Sequence, residues 1–271
     1  MLWNTKNGQL PLGGALMPYV SFGRGEKALI LLPGLSDALM TVRGKALLLA
    51  GPYRIFFEKY RVWMFSRKDP LPKGCSIRDM AADQAEAMCL LGLENAAVMG
   101  VSEGGMIAQY LAVDAPELVE KLVIAVSAPR ANAVIRACID QWTEDIRRND
   151  HRQLMIDTAE KSYSPAYLKR YRKLYPFLGA VTKPHDYGRF LVNAEAILRF
   201  DAFRALSGIR CPTLIIGGGD DQIVGIEASY EMNRQIPNSS LFVYPGLGHA
   251  AYEEADDFNE RVFRFLESAS A

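Results

Sequence analysis

From Pro18 to Val126 the chain repeats one pattern, a run of about five mostly apolar residues followed by a stretch with helical spacing. The runs Ala28 to Leu32, Arg61 to Phe65, Ala96 to Val101 and Leu122 to Val126 are apolar at nearly every position. Both faces of each strand must therefore be covered, as at the centre of a parallel sheet. Between two of these runs, Ser76 to Leu91 reads as a helix. Ser76 is the N-cap, Asp79 stands in the capping-box position, and Met80, Ala87, Met88 and Leu91 share one face before Gly92 ends it. A second helix, Gly104 to Val113, stops before the Ala115-Pro116 step, because a residue preceding proline is pushed out of the α region.

At Arg130 the strand-like runs vanish. Up to Leu206 the sequence is rich in Tyr, Arg, Lys and Leu at helical spacing, and then the alternation resumes. It continues with a strand Thr213 to Ile216, a helix Ile226 to Gln235, a strand Ser240 to Tyr244 and a helix from about Glu254 to Leu266. This predicts an α/β core of residues 1–129 and 207–271 carrying a helical lid of residues 130–206. Near the N-terminus, Gly23-Arg24-Gly25-Glu26 is short enough to join Leu16 to Phe22 and Ala28 to Leu32 as an antiparallel hairpin. The expected sheet is mostly parallel, of about eight strands, with an antiparallel N-terminal edge and helices on both faces.

Charge and cysteine usage narrow the function classes. Lys and Arg number 31 and Asp and Glu 31, so the electrostatic footprint of a nucleic-acid or anionic-membrane binder is missing. No basic segment with an apolar h-region opens the chain, and no window of about 20 residues is apolar enough to span a bilayer. Cys75, Cys89, Cys138 and Cys211 form no C-x-x-C pair and read as buried small groups in a reducing compartment. A cytoplasmic protein is expected. Its partner is then a small-molecule substrate, not nucleic acid or membrane, with a homodimer left open. His151, His185 and His249 share no metal-ligand spacing, so no metal is expected, and His151 and His185 read as solvated polar residues.

Gly100-Val101-Ser102-Glu103-Gly104 matches G-x-S-x-G at a strand-to-helix junction. There the sharp turn exposes the serine hydroxyl, and the glycines remove side chains that would strike the neighbouring strand and helix. A serine hydroxyl needs a base and a group to orient that base. Two later strands end in Gly217-Gly218-Gly219-Asp220-Asp221 and Gly248-His249, loops that an open parallel sheet gathers at its C-terminal edge beside the serine. An oxyanion hole would take the N–H of Glu103 and, from the Pro33-Gly34-Leu35 turn, that of Leu35.

On these motifs, together with Pro212 to Gly217 and Asp221-Gln222-Ile223-Val224, the chain resembles the α/β-hydrolase fold over nearly its whole length. In layout it is similar to the lidded single-domain esterase and enol-lactonase-like branch. The resemblance implies Ser102 as nucleophile, Asp221 rather than Asp220 as acid, and His249 as base, with no cofactor. The implied activity is cleavage of a small carboxylic ester, lactone or thioester through an acyl-enzyme. C–C, amide or perhydrolytic chemistry by the same triad, and a slow-turnover ligand sensor, stay open.

The chain departs from that pattern with Pro33-Gly34 in place of His-Gly, with Ser66 to Gly74 in place of a glycine-rich Asp loop, and with Glu103 after the nucleophile. The Glu103 carboxylate would either favour the helix N-terminus or select against anionic substrates. Gly34, Met106, Trp142 and Tyr163 are the expected substrate contacts. Trp142, Met155, Tyr163, Tyr167, Tyr171, Tyr175, Phe177 and Tyr187 supply apolar area to the lid, and its basic run Lys169 to Lys173 reads as a solvated face. A pocket of about 300–1,000 Å³ would admit acyl groups of up to roughly eight carbons.

Overall fold

Each apolar run becomes a strand in the structure of the chain, a computed structural model that describes residues 2–172 and 183–269. The strands are β1 (Lys6–Leu12), β2 (Ala15–Phe22), β3 (Lys27–Leu32), β4 (Tyr60–Phe65), β5 (Ala96–Val101), β6 (Val119–Ala125), β7 (Thr213–Gly218) and β8 (Ser239–Tyr244). They form one sheet in the order β1-β2-β4-β3-β5-β6-β7-β8, antiparallel in the β1–β2 and β2–β4 pairs and parallel from β4 onward. Because successive side chains point to opposite faces, Ile30, Leu32, Val98, Leu122 and Ile124 enter one hydrophobic core, while Leu29, Leu31, Met99, Val123 and Ala125 enter another. Both cores are closed by helices, so the central strands are apolar throughout.

The first core is covered by α1 (Ile77–Leu90), α2 (Glu103–Asp114) and α7 (Ile226–Gln235), and the second by α8 (Phe258–Glu267) and the short helical segments between Ala46 and Phe56. The α1 capping box forms as expected, with Asp79 N–H donating to Ser76 Oγ at 3.1 Å and Ser76 N–H to Asp79 Oδ2 at 2.8 Å. Between β6 and β7 lie α3 (Ala133–Arg147), α4 (His151–Ser162), α5 (Pro165–Tyr171) and α6 (Gly188–Arg199). No described helix is long and apolar enough to cross a membrane.

Two expectations need correction. β2 and β3 are not a hairpin: β2 pairs with β1 and β4, and β3 runs parallel to β4 and β5. The hairpin is β1–β2, turned by Gly13 and Gly14 at φ +54° and +83°, a two-residue loop whose positive φ values match the twist of the strands. Gly23 to Glu26 instead passes against the Lys59–Tyr60 backbone, where a Cβ on Gly25 would fall 1.9 Å from the Lys59 carbonyl carbon. The final helix is also interrupted: a turn at Ala251–Glu254 precedes α8.

Candidate active site

At the end of β5 the chain reverses into α2 through Ser102, at φ +55° and ψ −121°, a conformation costly for a residue with a Cβ. Two glycines make this turn feasible. A Cβ on Gly100 would meet the Gly104 carbonyl oxygen at 2.3 Å, and one on Gly104 would meet the Leu32 carbonyl oxygen at 1.9 Å. Ser102 N–H donates to Ala125 O at 2.9 Å, and Ser127 Oγ donates to Ser102 O at 2.7 Å, so the strained residue is fastened on both sides.

The loops after β7 and β8 bring the partners. His249 Nε2 lies 2.9 Å from Ser102 Oγ, and His249 Nδ1 lies 2.8 Å from Asp221 Oδ2. The other oxygen, Asp221 Oδ1, accepts the N–H groups of Ile223 at 2.8 Å and Val224 at 3.0 Å. Burial pushes the Asp221 carboxyl up, but the His249 ring and the two backbone donors outweigh it and hold it below its ordinary value. Asp220 is exposed, its N–H spent on Leu247 O, and makes no bond to His249. Leu35 and Glu103, whose backbone N–H groups are the expected oxyanion donors, line the same cavity as Ser102 and His249. Neither N–H is taken by a backbone acceptor outside the regular elements among the described residues.

That cavity holds about 120 Å³, below the expected 300–1,000 Å³, because α3, α4 and α6 lie close over it. Gly34, Leu35, Glu103, Met106 and Trp142 line it, with Ile135, Ile139, Ile197 and Ile223. No Lys or Arg does. Tyr163 does not line it: at the end of α4 it stacks on Tyr167 at 4.2 Å and donates to Glu253 Oε2 at 2.6 Å. Met155 belongs to a second, apolar cavity of about 340 Å³ beside the Pro33 to Asp37 loop. Tyr171 packs on Tyr167, and Tyr187 meets His151 Nδ1 at 2.8 Å. Tyr175, Phe177 and Lys173 lie outside the described residues. His151 is not solvated but 4% exposed, whereas His185 is exposed. Nor is every thiol buried, since Cys89 faces solvent while Cys138 lines the cavity.

A feature that sequence reasoning missed is Arg67, 2% exposed, whose Nη2 donates to Glu103 Oε2 at 2.8 Å. Burial pushes the Glu103 carboxyl up and the Arg67 guanidinium opposes it. Both readings of Glu103 lacked this counter-ion. In the sequence, Ser66-Arg67-Lys68-Asp69 has the polarity of a surface loop and carries no sign that one cation turns inward.

A family model described as alpha/beta hydrolase fold matches residues 65–256. A Klebsiella pneumoniae protein whose name gives it provisionally as carbamate hydrolase RutD is 31% identical over 70% of this chain and 73% of its own. A Pseudomonas putida 2-hydroxy-6-oxononadienedioate/2-hydroxy-6-oxononatrienedioate hydrolase is 28% identical over 92% and 91%. Among solved structures, an alpha/beta hydrolase enzyme from a Medee basin deep-sea metagenome library superposes with a TM-score of 0.84 at 17% identity, covering 97% of this chain and 98% of that one.

Proposed function

The chain belongs to the α/β-hydrolase fold family, and from that premise we propose that it is a cytoplasmic serine hydrolase of small, uncharged esters, lactones or thioesters. The observation that carries this reading is the unbroken relay Ser102–His249–Asp221 at 2.9 and 2.8 Å beside two available N–H donors. Ser102 Oγ attacks the carbonyl carbon while His249 Nε2 takes the hydroxyl proton, and the charge gathering on the carbonyl oxygen falls to Leu35 and Glu103 N–H. His249 then hands its proton to the leaving oxygen or sulfur. Water, deprotonated by the same ring, releases the acid and restores Ser102. Asp221 fixes the tautomer and orientation of the imidazole.

The cavity supports the substrate class. A cavity of about 120 Å³ suits a short acyl chain better than a long one. An anion placed there would lose its hydration without a lining cation to replace it. The Pseudomonas relative's name refers to a dioate, so its substrate class does not suit this cavity. The carbamate named for the Klebsiella relative is uncharged when esterified and suits it better. The described helices α3, α4 and α6 of the 130–206 segment act as the lid, since they line the cavity over Ser102.

The test is labelling with a fluorophosphonate, with the adduct mapped by peptide mass, followed by rates on p-nitrophenyl acetate, butyrate, octanoate and palmitate, small lactones and an O-alkyl carbamate. Labelling at Ser102 and rates that peak near butyrate are expected. An unlabelled protein, or rates rising steadily to palmitate, would overturn the reading.

A further inference from the structure

Behind the two segments that offer oxyanion donors sits a group of four ions that this mechanism does not use. Arg67 follows β4, Asp37 follows β3, Glu103 follows β5, and Arg189 belongs to α6. The strand order β4-β3-β5 makes the first three loops neighbours. Arg67 Nη2 donates to Glu103 Oε2 at 2.8 Å, and its Nη1 lies 3.7 Å from Asp37 Oδ2. Asp37 also accepts Ser66 Oγ at 2.5 Å, Arg67 N–H at 3.0 Å and Arg189 Nη2 at 2.7 Å. The guanidinium of Arg189 reaches further, donating to the carbonyls of Arg67 at 3.0 Å and Lys68 at 3.1 Å. Asp37, Arg67 and Glu103 are each 2% exposed or less.

Stability alone explains such a group poorly. Desolvating buried ions largely cancels what pairing returns, and an apolar replacement is often as stable. Here Arg67 Nε, Glu103 Oε1 and Arg189 Nε also lack a hydrogen-bond partner among the described residues, which adds cost. Its geometry is more informative. Glu103 is the residue whose own N–H is one oxyanion donor, and Asp37 lies two residues past Leu35, whose N–H is the other. One rigid planar guanidinium spans both carboxylates. On the other side, a Cβ on Gly34 would lie 3.2 Å from Ser102 Cβ, so the absence of a side chain there lets the loop approach the nucleophile closely.

Resting on the serine-hydrolase reading, we propose that Arg67 is a positioning residue whose guanidinium, held between Glu103 and Asp37, sets the separation of the two oxyanion donors, while Arg189 ties this clamp to α6. Donors held in place strengthen binding of the tetrahedral oxyanion more than binding of the flat carbonyl, so the clamp acts on kcat and leaves KM alone.

Arg67→Lys keeps the charge and loses the fork. It should lower kcat by about 10–100-fold and raise the Ki of butylboronic acid, a tetrahedral adduct former, by a similar factor, with KM shifted less than about twofold. Glu103→Ala, which retains the backbone N–H, should show the same paired loss, and Glu103→Gln, which keeps an acceptor for Arg67 Nη2, should recover most of it. A lowered melting temperature with kcat and Ki intact would make Arg67 merely structural and overturn the proposal. So would a fall in kcat without a matching rise in Ki. If Arg67→Lys does not fold, the Glu103 pair decides, and equal activity of Ala and Gln overturns the clamp. Wild type that no fluorophosphonate labels would defeat the serine-hydrolase reading itself. Labelled wild type with unpaired kcat and Ki defeats the clamp only.

Discussion

The triad and the Asp37–Arg67–Glu103–Arg189 group occupy adjacent parts of one sheet edge and are similarly buried, yet they differ in how their polar atoms are partnered. Around His249 both ring nitrogens and both Asp221 oxygens are bonded, so a proton leaving Ser102 has one defined receiver. The ion group sets two guanidinium charges against two buried carboxylates, with the more exposed Asp69 3.9 Å from Arg189, but leaves three polar atoms without hydrogen-bond partners among the described residues. A relay that moves a proton must be complete at every atom. A brace that only fixes a distance needs its charges balanced and tolerates orphaned atoms.

The sharpest way to break this contrast is Ser102→Ala. With the nucleophile gone and the fold untouched, ester turnover should fall by about a millionfold, leaving only what the oxyanion hole and binding contribute. Stopped assays on a variant of unchanged melting temperature check it, and retained turnover would remove the distinction between relay and brace. Next in size is Asp221→Asn. The amide favours the wrong imidazole tautomer and should cost about 10⁴-fold in kcat, while Asp220→Asn, at an exposed position without a bond to His249, should change little. The reverse ranking would place the acid at Asp220.

The two regions were unequally legible in the sequence for a physical reason. The triad is announced by local demands: glycines at Gly100 and Gly104 because a Cβ there would strike backbone, and loops placed at strand ends by an alternating pattern. The ion group depends on which strands are neighbours. Arg67, Asp37 and Glu103 meet only because β3 lies between β4 and β5, an order that no periodicity reveals. The same blindness displaced the hairpin. β1 is an edge strand, largely exposed and containing Pro11, so no apolar run marks it, and the Gly13-Gly14 turn that follows it is less conspicuous in the sequence than Gly23 to Glu26.

Arg189→Leu separates the brace from the helices above it. It removes the hold of α6 on Asp37 and on the Arg67 and Lys68 carbonyls but leaves the Arg67–Glu103 bond. A smaller loss is expected, about tenfold in kcat/KM, because the loop shifts without being freed. A loss as large as that of Asp221→Asn would mean that Arg189 belongs to the chemistry, and none at all would confine the brace to Arg67.

The smallest expected effect separates the regions by pH. Asp221 sits below its ordinary pKa, so its contribution to stability is full above the unfolded value near 3.9 and is lost as pH falls through the folded one. Glu103 is shifted the opposite way, because burial outweighs Arg67. Folded protein therefore holds a proton on Glu103 where the unfolded chain, with a carboxyl near 4.3, has released it, and stability falls as pH rises through that window. Urea unfolding from roughly pH 3 to 7 should show Asp221→Asn losing part of the acid-side decline, whereas Glu103→Gln should lose a decline on the rising side. Curves for both variants that stay parallel to wild type would show that the relay and the brace do not differ in how their carboxyls couple to folding.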